Sequence, residues 1–325
     1  MRPHPVPPME RRRFANTDLS VSIIGLGCYG MSGAHGPADD AESIATIYRA
    51  LDLGVNFLDT SASYGQGHNH RLIGEAIRGR RRDVIIHSKS GSPRDGSPDE
   101  VRGGGDPRYL RQTCERSLKN LGIETLDVFC MSRVDPNVPV EESVGAMAEL
   151  VKEGKTRFIA LSECSAESLR RGRAVHPLAS LQMEYSLFSR DAEEQGQIDA
   201  CRELGLAMMA YAVLGRGMLS AEVPKVDEMA ADDIRAGLPR FDSANVEKNL
   251  RLRAALEARS LSSPSPGQWH RVRARGPSSC RYLAQNRAST LRRTCAPRTL
   301  CSGQTTSRKS TGSYRRVPRP GRAIR

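Results

Sequence analysis

Asp59, Tyr64 and Lys89 are the residues of this 325-residue chain whose types and spacing could move a proton together. Asp59 and Tyr64 share the stretch Asn56-Phe57-Leu58-Asp59-Thr60-Ser61-Ala62-Ser63-Tyr64-Gly65, and Lys89 ends the run His87-Ser88-Lys89. An ammonium beside a phenol lowers the phenol's pKa from about 10, and a carboxylate beside that ammonium holds it in place and charged. A tyrosine so placed can donate a proton to a carbonyl oxygen while the carbon receives hydride, which is general acid catalysis. Taken singly, each residue has a plainer reading. Asp59 suits a turn cap, Tyr64 a half-buried core position, and Lys89 a snorkelling strand end. The chemistry therefore depends on the elements that would bring the three together.

Those elements read as alternating strands and helices. Short apolar, β-branched runs at 21–24, 55–58, 84–86, 126–130, 158–161, 181–183 and 206–211 predict strands. Helical stripes cover 40–53, 69–77, 107–121, 141–151, 166–173 and 192–204, with Asn69 as an N-cap and Pro107 opening its helix. Repeated βα units of this kind specify a parallel sheet. Gly25-Leu26-Gly27-Cys28-Tyr29-Gly30 matches the dinucleotide fingerprint of a doubly wound fold. That fingerprint opens a helix directly, whereas here a polar, Gly-rich loop follows and the helix waits until Asp40. Sequential units without a second domain fit an α/β architecture of the (β/α)8 TIM barrel type, whose active site lies at the C-terminal strand ends.

Six stretches, NFLDTSASYGQGHNHRLIGEAI, VIIHSK, SRVDPNVPVEE, GKTRFIALSE, LQMEYSLFSRD and YAVLGRGML, resemble in order the motifs of the aldo-keto reductases. The resemblance covers about residues 10–260 and implies a (β/α)8 barrel that reduces aldehydes and ketones with NADPH. It implies that Asp59, Tyr64 and Lys89 are catalytic. It implies that Ser162, Glu163 and Gln182 hold the nicotinamide carboxamide and that Tyr211 stacks on its ring. Leu214, Gly215 and Arg216 match the loop over the pyrophosphate, and Gly27, Cys28 and Tyr29 the turn beneath the cofactor. Bland readings stand beside these: Tyr211 as core, Arg216 as a solvated loop cation, Ser162 and Gln182 as satisfied barrel residues. Cys28, Cys130 and Cys164 read as small buried apolar side chains.

The chain departs from the family pattern in two places. Ser132 stands where the family has a catalytic His, and a serine cannot supply the imidazole that orients a carbonyl. His87, two residues before Lys89 on the same strand face, points inward on this reading but a layer deeper in the barrel.

The second departure is the tail. The net charge of +12 comes from residues 258–325, which carry fifteen Arg, one Lys and no acid, leaving 33 basic against 37 acidic residues before them. Neither an eighth strand with its phosphate-gripping loop nor a closing helix is legible there, so residues 1–260 are expected to form barrel strands one to seven and 261–325 an Arg-rich, disordered tail. Back-translated, residues 278–287 can be encoded so that reading two bases later gives Val-Val-Pro-Ile-Pro-Gly-Thr-Lys, the family's eighth strand and phosphate loop. The tail thus looks frameshifted. An impaired product of a damaged gene is the alternative to an active enzyme, and nucleic-acid binding through the arginines is the rival from another class.

No run of 18 apolar residues and no signal-peptide pattern occurs, and the eight cysteines include no CxxC pair. The expectation is a cytoplasmic protein with reduced thiols and no metal, membrane or specific nucleic-acid partner. NADP(H) and a small carbonyl substrate are the expected ligands, with the particular carbonyl and the oligomeric state left open.

Overall fold

The computed structural model describes residues 9–92, 104–220, 223, 225–230, 233–261 and 279–284, with 257–261 and 279–284 described as backbone. A hairpin of β1 (Arg11–Arg13) and β2 (Ser20–Ser22) precedes the barrel. The barrel strands are β3 (Ile24–Gly27), β4 (Phe57–Ser61), β5 (Ile85–Lys89), β6 (Leu126–Met131), β7 (Thr156–Ser162), β8 (Ser180–Glu184), β9 (Ala207–Tyr211) and β10 (Ser279–Ala284). All pair in parallel, and the ring closes in the order β10-β3-β4-β5-β6-β7-β8-β9. Around it run α1 (Asp40–Asp52), α2 (His68–Ala76), α3 (Pro107–Leu121), α4 (Val140–Lys152), α5 (Ala166–Val175), α6 (Asp191–Glu194) and α7 (Gln197–Leu204), followed by α8 (Ser243–Leu261).

Strands enclosed by helices are buried on both faces, and every residue of β6 is buried, including Asp127, which Arg81 and Arg157 pair. Ile47, Ile73, Leu110, Val144 and Leu169 pack the helices onto the outer face of the sheet. Inside, Phe57, Ile85, Val128, Cys130, Ala160, Ala207 and Met209 form a second cluster with Phe14, Leu19 and Val21. The hairpin is thus a plug in the N-terminal end of the barrel. Caps fix the helix starts: Asp39 accepts from Glu42 N–H at 2.7 Å, and Asp106 accepts from Arg108 N–H at 2.8 Å ahead of Pro107. Gly74 lets α2 approach α3, because a Cβ there would meet the Leu121 carbonyl oxygen at 2.5 Å.

Four expectations need correction. The first barrel strand is Ile24–Gly27 rather than 21–24, since Val21 belongs to the plug. Asn69 is no cap: α2 opens at His68, and the buried Asn69 amide donates to the Cys28 carbonyl at 2.8 Å and to Ser32 Oγ at 2.9 Å. The helix expected over 192–204 breaks between α6 and α7 at Gly196, which has φ 80°. The fourth concerns closure.

The barrel was expected to lack strand eight, yet the backbone of Ser279–Ala284 pairs with both flanking strands, Leu283 opposite Leu26 and Cys280 opposite Met209. The physical reason is that a ladder bonds N–H to C=O and needs no particular side chain, whereas the expectation weighed side-chain composition. The shifted-frame strand falls on this same stretch. Residues 262–278 and 285–325, with the remainder of the Arg-rich tail, the phosphate loop and any closing helix, lie outside the described residues. The GxGxxG run leads into a 3-10 turn at Tyr29–Ser32, not a helix, as its context implied.

Candidate active site

Barrel pleating decides which side chains meet. Asp59 of β4 lies opposite His87 of β5, and Ser61 opposite Lys89, so Asp59, His87 and Lys89 share the inward face. Lys89 Nζ donates to Asp59 Oδ2 at 2.5 Å, with both side chains buried. Asp59 Oδ1 accepts from His87 Nδ1 at 2.7 Å and from Gln182 Nε2 at 3.0 Å. The lysine also stands 5.0 Å from the centre of the Tyr64 ring, and Tyr29 meets that ring at 4.5 Å between centroids. Asp59, Tyr64 and Lys89 line a cavity of about 540 Å³ at the C-terminal end of the barrel, with Tyr29, Ser132, Ser162, Gln182, Tyr211 and Arg216 in its walls.

Burial alone would raise the Asp59 pKa, but the Lys89 charge and then the His87 hydrogen bond outweigh it and hold the carboxyl below its ordinary range. Burial alone would lower Lys89, and the Asp59 charge outweighs it, so the ammonium is held above its ordinary range. Tyr64 corrects the expectation of a lowered phenol. Burial pushes it up to about 12, and the opposing pull of Lys89 only moderates the rise. The phenol is therefore protonated at neutral pH, the state that a proton donor requires.

The other expected residues divide into two groups. Ser162 and Tyr211 face the cavity. Gln182 also reaches it, with its amide nitrogen committed to Asp59. Cys28 lies beneath, its amide donating to the Asp59 carbonyl at 2.9 Å and its thiol raised by burial. Gly27 runs opposite Asp59 in the ladder. Glu163 is not among the cavity walls: its carboxylate stands behind Tyr211, and its Oε1 accepts from Glu184 N–H at 2.6 Å. Ser132 is on the wall, but its hydroxyl accepts from Gly91 N–H at 2.8 Å. His87 is fully buried one layer below, and it is not among the cavity walls.

After β9 the backbone is strained. Ala212 has φ 50°, Gly215 59° and Arg216 56°, and a Cβ on Gly215 would press Phe188 at 3.2 Å. This turn directs the Arg216 guanidinium to Glu184 at 3.2 Å and places it 5.8 Å from the Tyr211 ring. Arg240, which the sequence reading missed, holds the other oxygen of the same carboxylate. Arg216 Nε and Arg240 Nη1 are buried without a hydrogen-bond partner. Two guanidinium groups thus share one carboxylate, and of the two Arg216 lines the cavity. His35 was also missed. It lines the cavity from the loop before α1, and burial, with Arg235 next, lowers its imidazole to about 4. No local signal marks either residue: His35 arrives on a loop and Arg240 on the short 3-10 turn Pro239–Phe241.

The closed parallel barrel is that of the aldo-keto reductases, a family of oxidoreductases. The chain belongs to that family: the profile of the Aldo/keto reductase family matches residues 23–263. It is similar to the structure of the glycerol dehydrogenase AKR11B4 from Gluconobacter oxydans, at 26% identity and a TM-score of 0.75, over 88% of this chain and 89% of that one. It is also similar to the thermostable aldo-keto reductase Tm1743, at 26% identity and a TM-score of 0.61, over 87% and 92%. The aldo-keto reductase AKR11C1 from Bacillus halodurans, at 23% identity and a TM-score of 0.64 over 88% and 90%, shares the fold. No helix among the described residues is long and apolar enough to cross a membrane.

Proposed function

We propose that the chain reduces the carbonyl group of small aldehydes or ketones with NADPH, Tyr64 acting as the proton donor. The observation that carries this reading is the buried Lys89–Asp59 pair set against Tyr64 on the cavity wall. When bound, the reduced nicotinamide supplies the hydride. Tyr64 passes its phenolic proton to the carbonyl oxygen as the carbon–oxygen double bond becomes an alcohol. The phenolate left behind is stabilised by the Lys89 cation, whose position is fixed by Asp59, and it regains a proton from water.

The residues present suit a dinucleotide. Ser162 and Tyr211 offer a hydroxyl and an aromatic face, and the Arg216 guanidinium on the same wall offers a cation to a diphosphate. Ser132 takes no part in proton transfer, so Tyr64 orients the carbonyl alone. Such a group still contributes roughly 10²–10⁴-fold.

Tyr64→Phe tests the reading. It should abolish NADPH-dependent reduction of a reactive aldehyde such as 4-nitrobenzaldehyde, followed by loss of absorbance at the reduced nicotinamide band, while leaving the thermal melt cooperative. Equal rates for the variant and the wild type would remove Tyr64 from the reaction.

A further inference from the structure

His87 is bonded to the centre of the site, yet the reaction as described gives it nothing to do. On the inward face of β5 it lies between Ile85, which joins the cluster around the plug, and Lys89, which reaches the cavity. Its side chain is fully buried, tilted against Phe57 at 5.9 Å between ring centres, with Nδ1 2.7 Å from Asp59 Oδ1. The other ring nitrogen, Nε2, has no hydrogen-bond partner. A neutral imidazole has one N–H, and bonding to a carboxylate demands it at Nδ1, which leaves the orphan Nε2 as a bare lone pair. Burial keeps the ring neutral, opposed by its bond to Asp59. The structure therefore maintains a polar ring, with one atom unsatisfied, where an apolar side chain would pack without that cost.

We propose that His87 is a positioning residue for the proton-donating group: its Nδ1–H holds the Asp59 carboxylate toward Lys89 and takes up part of the carboxylate's charge. This rests on the reductase reading above. Lys89 and Asp59 act on the Tyr64 phenol in opposite senses, the cation favouring the phenolate and the carboxylate disfavouring it. Charge drawn off Asp59 from below leaves the Lys89 cation to dominate above. Other titratable groups around this cluster are neutral by burial: the Cys28 and Cys130 thiols, the Tyr29 phenol and the His70 imidazole, lowered to about 3. His87 and Gln182 thus both bear on how strongly Asp59 competes with Lys89 for Tyr64.

The reverse reaction reads this directly, because Tyr64 must then accept a proton as phenolate and the rate of alcohol oxidation by NADP⁺ rises with pH. His87→Leu should displace the rising limb upward by about one pH unit, an approximately tenfold slower oxidation at fixed pH. His87→Asn, which returns an N–H toward Asp59, should restore most of it. The affinity for NADPH, measured by fluorescence titration, should stay within about twofold in both variants. An unmoved profile in His87→Leu overturns the inference alone. So does a uniform loss of rate that His87→Asn does not rescue, which assigns His87 a structural role only. A wild-type chain that neither reduces aldehydes nor oxidises alcohols overturns the reductase reading, and the inference with it.

Discussion

The Nζ of Lys89 lies 2.5 Å from Oδ2 of Asp59, with the two side chains 9% and 1% exposed. An ion pair this deeply buried is balanced by its own geometry, and removing one partner leaves a charge with nowhere to go. Asp59→Asn should therefore cost about 3–5 kcal/mol of stability, read by urea denaturation, together with most of the activity.

The same pair sets an expectation for pH. Asp59 is held below its ordinary 3.8, so its stabilisation is complete above that value and is lost as pH falls through the lower folded value. Lys89 is held above its ordinary 10.5, so its stabilisation is complete below that value and is lost as pH rises through the higher folded one. Stability from the pair should be flat between those limits. Denaturation at successive pH values should show the acid loss shrinking in Asp59→Asn; an unchanged acid limb would mean that other carboxylates govern it.

Ser132→His returns an imidazole to the wall of the cavity, where it can share orientation of the carbonyl with Tyr64. We expect aldehyde reduction to rise by about tenfold or more, within the range of a positioned acid–base group. The variant also gives up the bond from Gly91 N–H to the serine hydroxyl, at a cost of about 1 kcal/mol in a thermal melt. A fall in rate would show that the surrounding loop has adapted to serine.

Arg216 and Arg240 share Glu184 and retain unbonded nitrogens. Replacing Arg216, which lines the cavity, by Met should weaken NADPH binding by roughly ten- to a hundredfold, since a charge-assisted contact is worth about 1.5–3 kcal/mol. Because the phosphate loop expected after strand eight is not legible in this sequence, the preference for NADPH over NADH should be below about a hundredfold. Titration calorimetry with both cofactors checks both statements, and a larger preference would locate a phosphate contact in the tail.

Leu283→Pro probes closure of the barrel. Leu283 pairs with Leu26, and a proline there removes a ladder donor from a strand flanked on both sides. The variant should melt several degrees lower and expose the edges of β3 and β9, with aggregation visible on size exclusion. An identical melt would mean that β10 contributes little to holding the barrel.

Asp59, Tyr64 and Lys89 were legible as one group because each sits in a short stretch whose order and spacing are local properties. A strand's period of two places Asp59 on the inward face, and the same period aligns His87 with Lys89 on the next strand. That parity argument told which face His87 takes, but not that Asp59 lies opposite it, since pairing register joins residues 28 apart in sequence. The first strand was set too early for a related reason. Val21 is as β-branched and apolar as any barrel residue, and only packing against Phe14 and Leu19 shows that it serves the plug.

What the sequence by itself determined is the alternation of strands and helices and the barrel class, because hydrophobic period encodes them, and the placing of Asp59, Tyr64 and Lys89 at neighbouring strand ends. Only the tertiary structure decided the protonation of Tyr64, since burial is a sum over neighbours from the whole ring and it outweighs the adjacent lysine. It also brought His35 to the cavity on a loop and Arg240 to Glu184 on a 3-10 turn, segments too short to carry a period. The pairing of Ser279–Ala284 with β3 and β9 is visible only there too, because register joins segments far apart in sequence.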